Sequence, residues 1–184
     1  MGEYYFDVET YSPELKPNPL KDKIIAITYC RLRTEDGSPR GDLRILTEWD
    51  CGSEKLLLTK FKDVFLTPRD FDFVPIGVNL YGFDLIAIMQ RMNDYFGSNL
   101  GFKFLRDRPT LDIKPILVMM NITNPNPFRD YQAVLRGQKQ LSRISEWYEA
   151  EDYPSIVRYI HDEADMFIRA YQILKEEVPR IKLR

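Results

Sequence analysis

Residues 3–9, Glu-Tyr-Tyr-Phe-Asp-Val-Glu, are rich in aromatic and β-branched positions and predict a strand. Alternation along it puts Tyr5, Asp7 and Glu9 on one face and Phe6 and Val8 on the other. Ser12–Pro19 holds three prolines and predicts no regular element. The apolar run Asp22–Leu32 predicts a second strand and Asp42–Glu48 a third, joined by a turn at Glu35–Pro39 as an antiparallel meander. Ser53 has the character of an N-cap, and a helix follows through Leu57, Phe61 and Val64 to Phe65. Pro68 and Asp70 break the pattern before a short strand over Phe73–Val78.

Phe83–Tyr95 has helical spacing at Leu85, Ile86, Ile88, Met89 and Met92. Phe102–Leu105 reads as a strand, and Leu111–Met120 as a helix with Lys114 and Pro115 in its first turn. Asn121–Arg129 is a Pro/Asn loop, and Gln132–Tyr148 suggests one or two short helices. From Tyr153 the apolar stripe Ile156, Ile160, Ala164, Phe167, Tyr171 and Leu174 predicts an amphipathic helix to about Glu176. Pro179 ends it before the basic stretch Arg180–Arg184. Three strands, a helix, a strand and then mainly helices predict an α/β fold, a mixed central sheet flanked by helices.

At 184 residues the chain fits one domain, 1–184, with a substantial core. Its 26 Lys and Arg against 28 Asp and Glu leave a net charge of −2, which excludes a general attraction to nucleic acid or membrane. Any nucleic-acid site must be local. Cys30 and Cys51 form no C-x-x-C pair and no disulfide framework, as expected in a reduced compartment. No apolar leader or membrane-length run is present, and the first strand opens beside Met1, so the expected location is cytoplasmic.

The chemistry lies in acids. Asp7 and Glu9 on one strand face repel each other unless solvated at a sheet edge or bridged by a cation. Asp84 stands at a strand-to-helix turn, as an N-cap or as a ligand. Asp162, Glu163 and Asp165 cluster on the last helix, where a solvated face is the ordinary reading. Taken together these hard oxygen donors, without neighbouring Cys or His, select Mg²⁺ or Mn²⁺ over Zn²⁺. Carboxylates that hold two such ions about 3.5–4 Å apart are the apparatus for attack of water on a phosphodiester.

Three motifs then carry a resemblance to the DEDD-type 3′–5′ exonucleases of the ribonuclease H-like fold, closest to the proofreading domains of B-family DNA polymerases and their stand-alone relatives. Tyr4-Tyr-Phe-Asp-Val-Glu-Thr10 resembles F-D-x-E-T. Gly77-Val-Asn-Leu-Tyr-Gly-Phe-Asp-Leu85 matches G-x-N-x-x-x-F-D, and Ile156–Ala164 is similar to Y-x-x-x-D. Leu111-Asp-Ile-Lys-Pro115 resembles the family's "Asp-Leu" helix start. The resemblance implies a metal-dependent exonuclease with two Mg²⁺ or Mn²⁺ ions. It implies Asp7 and Glu9 as metal ligands with Asp7 bridging both ions, Asp84 on the second, partly through water, and Tyr159 beside the attacking water. It also implies Asn79 and Thr10 at the substrate and Phe83 packed beneath the site. Tyr159 marks the tyrosine subclass; the histidine subclass requires an acid where Met166 stands, so His161 has no catalytic part.

The chain departs from the family at the fourth acid. Four residues after Tyr159 stands Glu163 where the family has Asp, and Asp162 is the competing ligand, about 100° around the helix. The implied substrates are 3′ ends of single-stranded DNA or RNA, with a polymerase or DNA-repair protein as partner. Tyr11, Tyr81 and Tyr131 are candidate stacking platforms. The irregular third motif and the acidic balance also admit a different class, a catalytically degenerate domain that binds nucleic acid or a partner protein.

Overall fold

The computed structural model describes residues 2–14, 16–66, 72–123 and 138–177, with side chains for all of these except 119–123, 138–142 and 177. Five strands form one sheet in the order β3-β2-β1-β4-β5. They are β1 Glu3–Tyr11, β2 Lys23–Arg31, β3 Arg44–Thr47, β4 Val74–Gly77 and β5 Leu111–Asp112. The first three pair antiparallel, while β4 lies parallel to β1 and β5 parallel to β4. The helices are α1 Glu48–Cys51, α2 Glu54–Phe65, α3 Asp84–Phe96, α4 Phe102–Asp107, α5 Lys114–Thr123, α6 Gln138–Glu149 and α7 Tyr153–Glu177. The mixed sheet with flanking helices is the architecture that the order of elements predicts.

Alternation along β1 decides which helices cover which face. Phe6 and Val8 join Ile24, Ile27, Leu57, Phe61, Phe65, Leu85, Ile88 and Met92 under α2 and α3. Tyr5 faces the other way, with Ile76, Ile113, Leu117, Phe167 and Tyr171 under α5 and α7. A third cluster, Ile25, Ala26, Ile144, Ile156 and Ile160, seats α6 and the start of α7 beside β2. The stripe predicted for the last helix is the buried stripe of α7. Asp7 and Glu9 share the face of Tyr5, so they look toward α7.

Several elements differ from the sequence reading. Phe102–Leu105 belongs to α4 and not to a strand. A short apolar run fits either state, and here the helical turn brings Leu105 and Arg108 to the interior together. Arg108 stacks on the Phe65 ring at 4.0 Å and donates to the Phe65 and Phe73 carbonyls. The element at Leu111 begins as a two-residue strand before α5 starts at Lys114, and α5 continues to Thr123 where a loop was expected. Glu48–Cys51 is a helical turn capped by the Thr47 hydroxyl instead of the end of a strand. The expected strand end at Val78 falls at Gly77. The expectations for Pro68, Asp70, residues 124–137 and the 180–184 stretch lie outside the described residues. Cys30 and Cys51 are free, and no helix among the described residues is long and apolar enough to cross a membrane.

Gly77 ends β4 close against the backbone of β1. A Cβ there would stand 2.5 Å from the Phe6 carbonyl oxygen and 2.7 Å from the Leu80 side chain. Gly77→Ala is expected to cost about 1–3 kcal/mol, as overpacking does. Gly101→Ala, where a Cβ would meet nothing within 4 Å, should cost only the N-cap preference of glycine over alanine at α4, below about 1 kcal/mol. Urea denaturation midpoints of the two variants measure the difference.

Candidate active site

Strand β1 outruns its parallel neighbour. The pairing with β4 runs from Glu3↔Val74 to Tyr5↔Ile76, and β4 ends at Gly77. Beyond that point the backbone of β1 has no strand on this side, and the Val8 N–H donates instead to Asp84 Oδ1 at 3.0 Å. Asp84 opens α3 as its first residue; Phe83 occupies the N-cap position. The carboxylate is buried, with 4% exposure. On the antiparallel side the register shifts between Glu9 and Thr10, which face Ala26 and Ile24, so Ile25 of β2 is the extra residue of a bulge. The crevice outside the carboxyl ends of parallel strands is where open α/β sheets place ligands.

Helix α7 brings the remaining groups. Tyr159 and Glu163 are one turn apart beside the buried stripe and face β1. One carboxylate oxygen each from Asp7, Glu9 and Glu163 lie within 4.8 Å of one another. Asp162 and His161 are exposed on the outer side of the same helix. Thus the structure brings Glu163, and not Asp162, to the acids of β1. Asp84 is separate from that triplet but lines the same cleft, whose volume is about 790 Å³.

The electrostatics are those of a crowded set of like charges. Burial, then the charge of Glu163, pushes the Asp7 carboxyl well above the usual range. Burial raises Glu9 as well, with Asp7, Glu163 and Asp84 adding to it. Asp84 is raised by burial and by Asp7, against the lowering effect of backbone N–H groups. Glu163 is raised by burial and eased by a hydrogen bond from Tyr159. The Tyr159 phenol is pushed far up by burial, then by the charges of Glu9 and Glu163, so it stays protonated at any ordinary pH. A hard divalent cation fits this donor set: carboxylate oxygens only, gathered closely, and costly to ionise without a counter-charge.

The other residues singled out in the sequence line the cleft differently. Thr10 stands beside the bulge, and Phe83 forms part of the wall, half-exposed and outside the buried clusters. Asn79 lies at the tip after β4 with φ of +64°, in the left-handed region. Tyr11 is committed to the far wall, its hydroxyl donating to Glu149 at 2.8 Å and its ring tilted against Tyr148. Tyr81 is exposed on the turn, and Tyr131 lies outside the described residues.

Sequence reasoning gave no role to Asp112, Ser145, Glu146 or Glu149. Asp112 accepts from the N–H groups of Asn79, Tyr81 and Lys114, tying the turn after β4 to the start of α5. An Asp two residues before Lys-Pro at a helix start is the one local signal for it. Ser145, Glu146 and Glu149 on α6 form the opposite wall, where Ser145 and Ser12 exchange hydrogen bonds. Nothing local in 138–149 announces that contact, which spans more than a hundred residues.

No family model and no curated protein sequence matches the chain. Among solved structures, E. coli Exonuclease I in complex with a dT13 oligonucleotide is similar with a TM-score of 0.51 and 13% identity, covering 68% of this chain and 31% of that one. Exonuclease I from Methylocaldum szegediense is similar with a TM-score of 0.51 and 16% identity, covering 68% and 30%. An apo Exonuclease I gives 0.50 and 13%, covering 68% and 32%. The chain therefore spans under a third of the length of these structures. The likeness is one of fold: a ribonuclease H-like α/β fold, shared with exonucleases.

The raised carboxyls give a signed expectation. Each folded-state pKa lies above its unfolded value near 4, so the native protein binds more protons between the two, and stability falls as pH rises through that window. Without divalent cations, thermal melts should drop between pH 5 and 7.5. Asp7→Asn and Asp84→Asn should each raise the melting temperature at pH 7.5 by roughly 2–6 °C. Lower melting temperatures in both variants would make the acids structural.

Proposed function

We propose that this chain is a divalent-metal-dependent 3′–5′ exonuclease of the tyrosine subclass, hydrolysing phosphodiester bonds at the 3′ end of single-stranded DNA or RNA. Residues 1–184 would form one such domain. The observation that carries the reading is the meeting of Asp7, Glu9 and Glu163 within 4.8 Å, in a cleft that Asp84 and Tyr159 share. Ligands drawn from β1 and from a helix some 150 residues later, on a fold shared with exonucleases, are hard to explain as a solvated surface.

In this reading Asp7, Glu9 and Glu163 hold one Mg²⁺ or Mn²⁺, and Asp7 with Asp84 a second. Such ions supply positive charge for the attack of water and the departure of the 3′ oxygen. The chain's own residues do the rest. Asp84 has Oδ1 taken by Val8, which leaves Oδ2 for an ion, directly or through water. Burial and the neighbouring carboxylates favour the protonated Tyr159 phenol, which donates to Glu163 and would leave its oxygen to orient a water. Phe83 offers a half-exposed ring to the terminal nucleotide, and Thr10 and Asn79 offer polar groups along the same wall.

The cleft lining is acidic, with Lys16 as its one basic member among the described residues. Phosphates therefore meet less repulsion when cations balance the carboxylates, so cations should aid end-binding as well as cleavage. The Exonuclease I structures include complexes with a dT13 oligonucleotide and with SSB-Ct. By analogy, a single-stranded substrate and a repair or polymerase partner are the classes this chain would meet. A second reading, a non-catalytic domain that binds ends, draws on Glu163 standing where the family has a shorter acid.

Cleavage of a 5′-labelled single-stranded oligonucleotide in Mg²⁺ or Mn²⁺, against a chelator control, separates the two. Asp7→Ala, Asp84→Ala and Glu163→Gln should each lower the rate by at least about 100-fold, the upper range for losing even an outer-shell metal partner. Asp162→Asn should keep most of the activity, and blunt duplex should be cut more slowly than single strand. End-binding without cleavage by the wild type would favour the second reading. Equal rates for Glu163→Gln and wild type would remove Glu163 from the site.

A further inference from the structure

Asn79 has nearly all of its hydrogen-bonding groups engaged. Its backbone N–H donates to Asp112 Oδ1 at 2.9 Å, and its carbonyl accepts from Gly82 and Phe83, both at 2.9 Å. Its side-chain oxygen accepts from Lys114 Nζ at 2.7 Å. Among the described residues, the Nδ2 amide is the one group of Asn79 with no protein partner. The side chain is also confined from below. A Cβ on Gly82 would stand 2.3 Å from Asn79 Oδ1, so that glycine leaves the space the amide occupies.

The chemistry of the pair removes the ambiguity of an amide's orientation. A lysine ammonium has three donors and no acceptor, so its partner on Asn79 must be the oxygen. We propose that Lys114 is a positioning residue that fixes the Asn79 amide so that its NH₂ meets the substrate as a pure donor. This rests on the exonuclease reading and deepens it. The cognate group is an acceptor on the terminal nucleotide, a phosphate or sugar oxygen, contacted without regard to base. Asp112 completes the device: it holds the left-handed turn at Asn79 and caps the helix start that carries Lys114. The Asn79 amide adds a donor to a mainly acidic lining, whose carboxylates when ionised can only accept.

The test is a double-mutant cycle on 3′-end binding and turnover, with single-stranded oligothymidylate carrying a 5′ label as the probe. Lys114→Met is expected to raise KM about tenfold, the scale of one hydrogen bond, with kcat within about twofold. Lys114→Arg, which keeps a donor, should restore most of the loss. Asn79→Ala should cost as much as Lys114→Met, and the double variant no more than Asn79→Ala alone. Asn79→Asp, which keeps an acceptor for Lys114 but no donor for substrate, should be as weak as Asn79→Ala. Melting temperatures within a few degrees of wild type would show that the turn persists. Multiplying effects would mean that Lys114 acts on phosphate by itself, and an unchanged KM in Lys114→Met would leave it no part; either overturns the proposal. A wild type that neither binds nor cuts 3′ ends would instead sink the exonuclease reading and this inference with it.

Discussion

The structure turns on one electrostatic constraint: carboxylates gathered where β1 runs past the end of β4. A central strand would ordinarily have both edges of its backbone paired. Here the edge beyond Tyr5 is left open, and the Val8 N–H is satisfied by the side chain of Asp84. That bond docks the start of α3 on β1 and simultaneously adds a buried acid to Asp7 and Glu9. Helix α7, seated by its apolar stripe, adds Glu163 from across the cleft. Each packing contact is favourable for apolar reasons, while their sum crowds like charges. Stability has been traded against a charge set that a cation would relieve.

Around that centre the loops are held by side chains in place of ladders. The turn after β4 has a left-handed Asn79, and its amide groups are collected by Asp112 from the next strand. Glycines at 77 and 82 permit the close approaches on either side of it. The far wall is closed by Ser12 with Ser145 and by Tyr11 with Glu149. A cleft built this way has fixed rims and an acidic floor.

Most of the fold could be read from the chain because its core elements carry clean periods. β1 alternates, β2 is continuously apolar, and α7 repeats every three or four residues, and each forms close to its expected bounds. The short elements could not be read in the same way. Phe102–Leu105 fits strand or helix equally, and only the burial of Arg108 against Phe65 selects the helix. At the site, the i, i+4 relation of Tyr159 and Glu163 and the apolar stripe beside them determined which acid turns inward. The role of Asp112 was only hinted at by its place before Lys-Pro, because its three partners are backbone amides. The wall of α6 was hidden because its contacts to residues 11 and 12 exist only through tertiary packing.

The central claim is that the acids of β1 and α7 form a cation site. Anomalous diffraction from crystals soaked in Mn²⁺ tests it most directly. The account predicts a peak bounded by Asp7, Glu9 and Glu163, at oxygen distances of about 2.0–2.3 Å, with a second toward Asp84. Peaks confined to surface acids such as Asp162, with the β1 carboxylates free of metal, would contradict it.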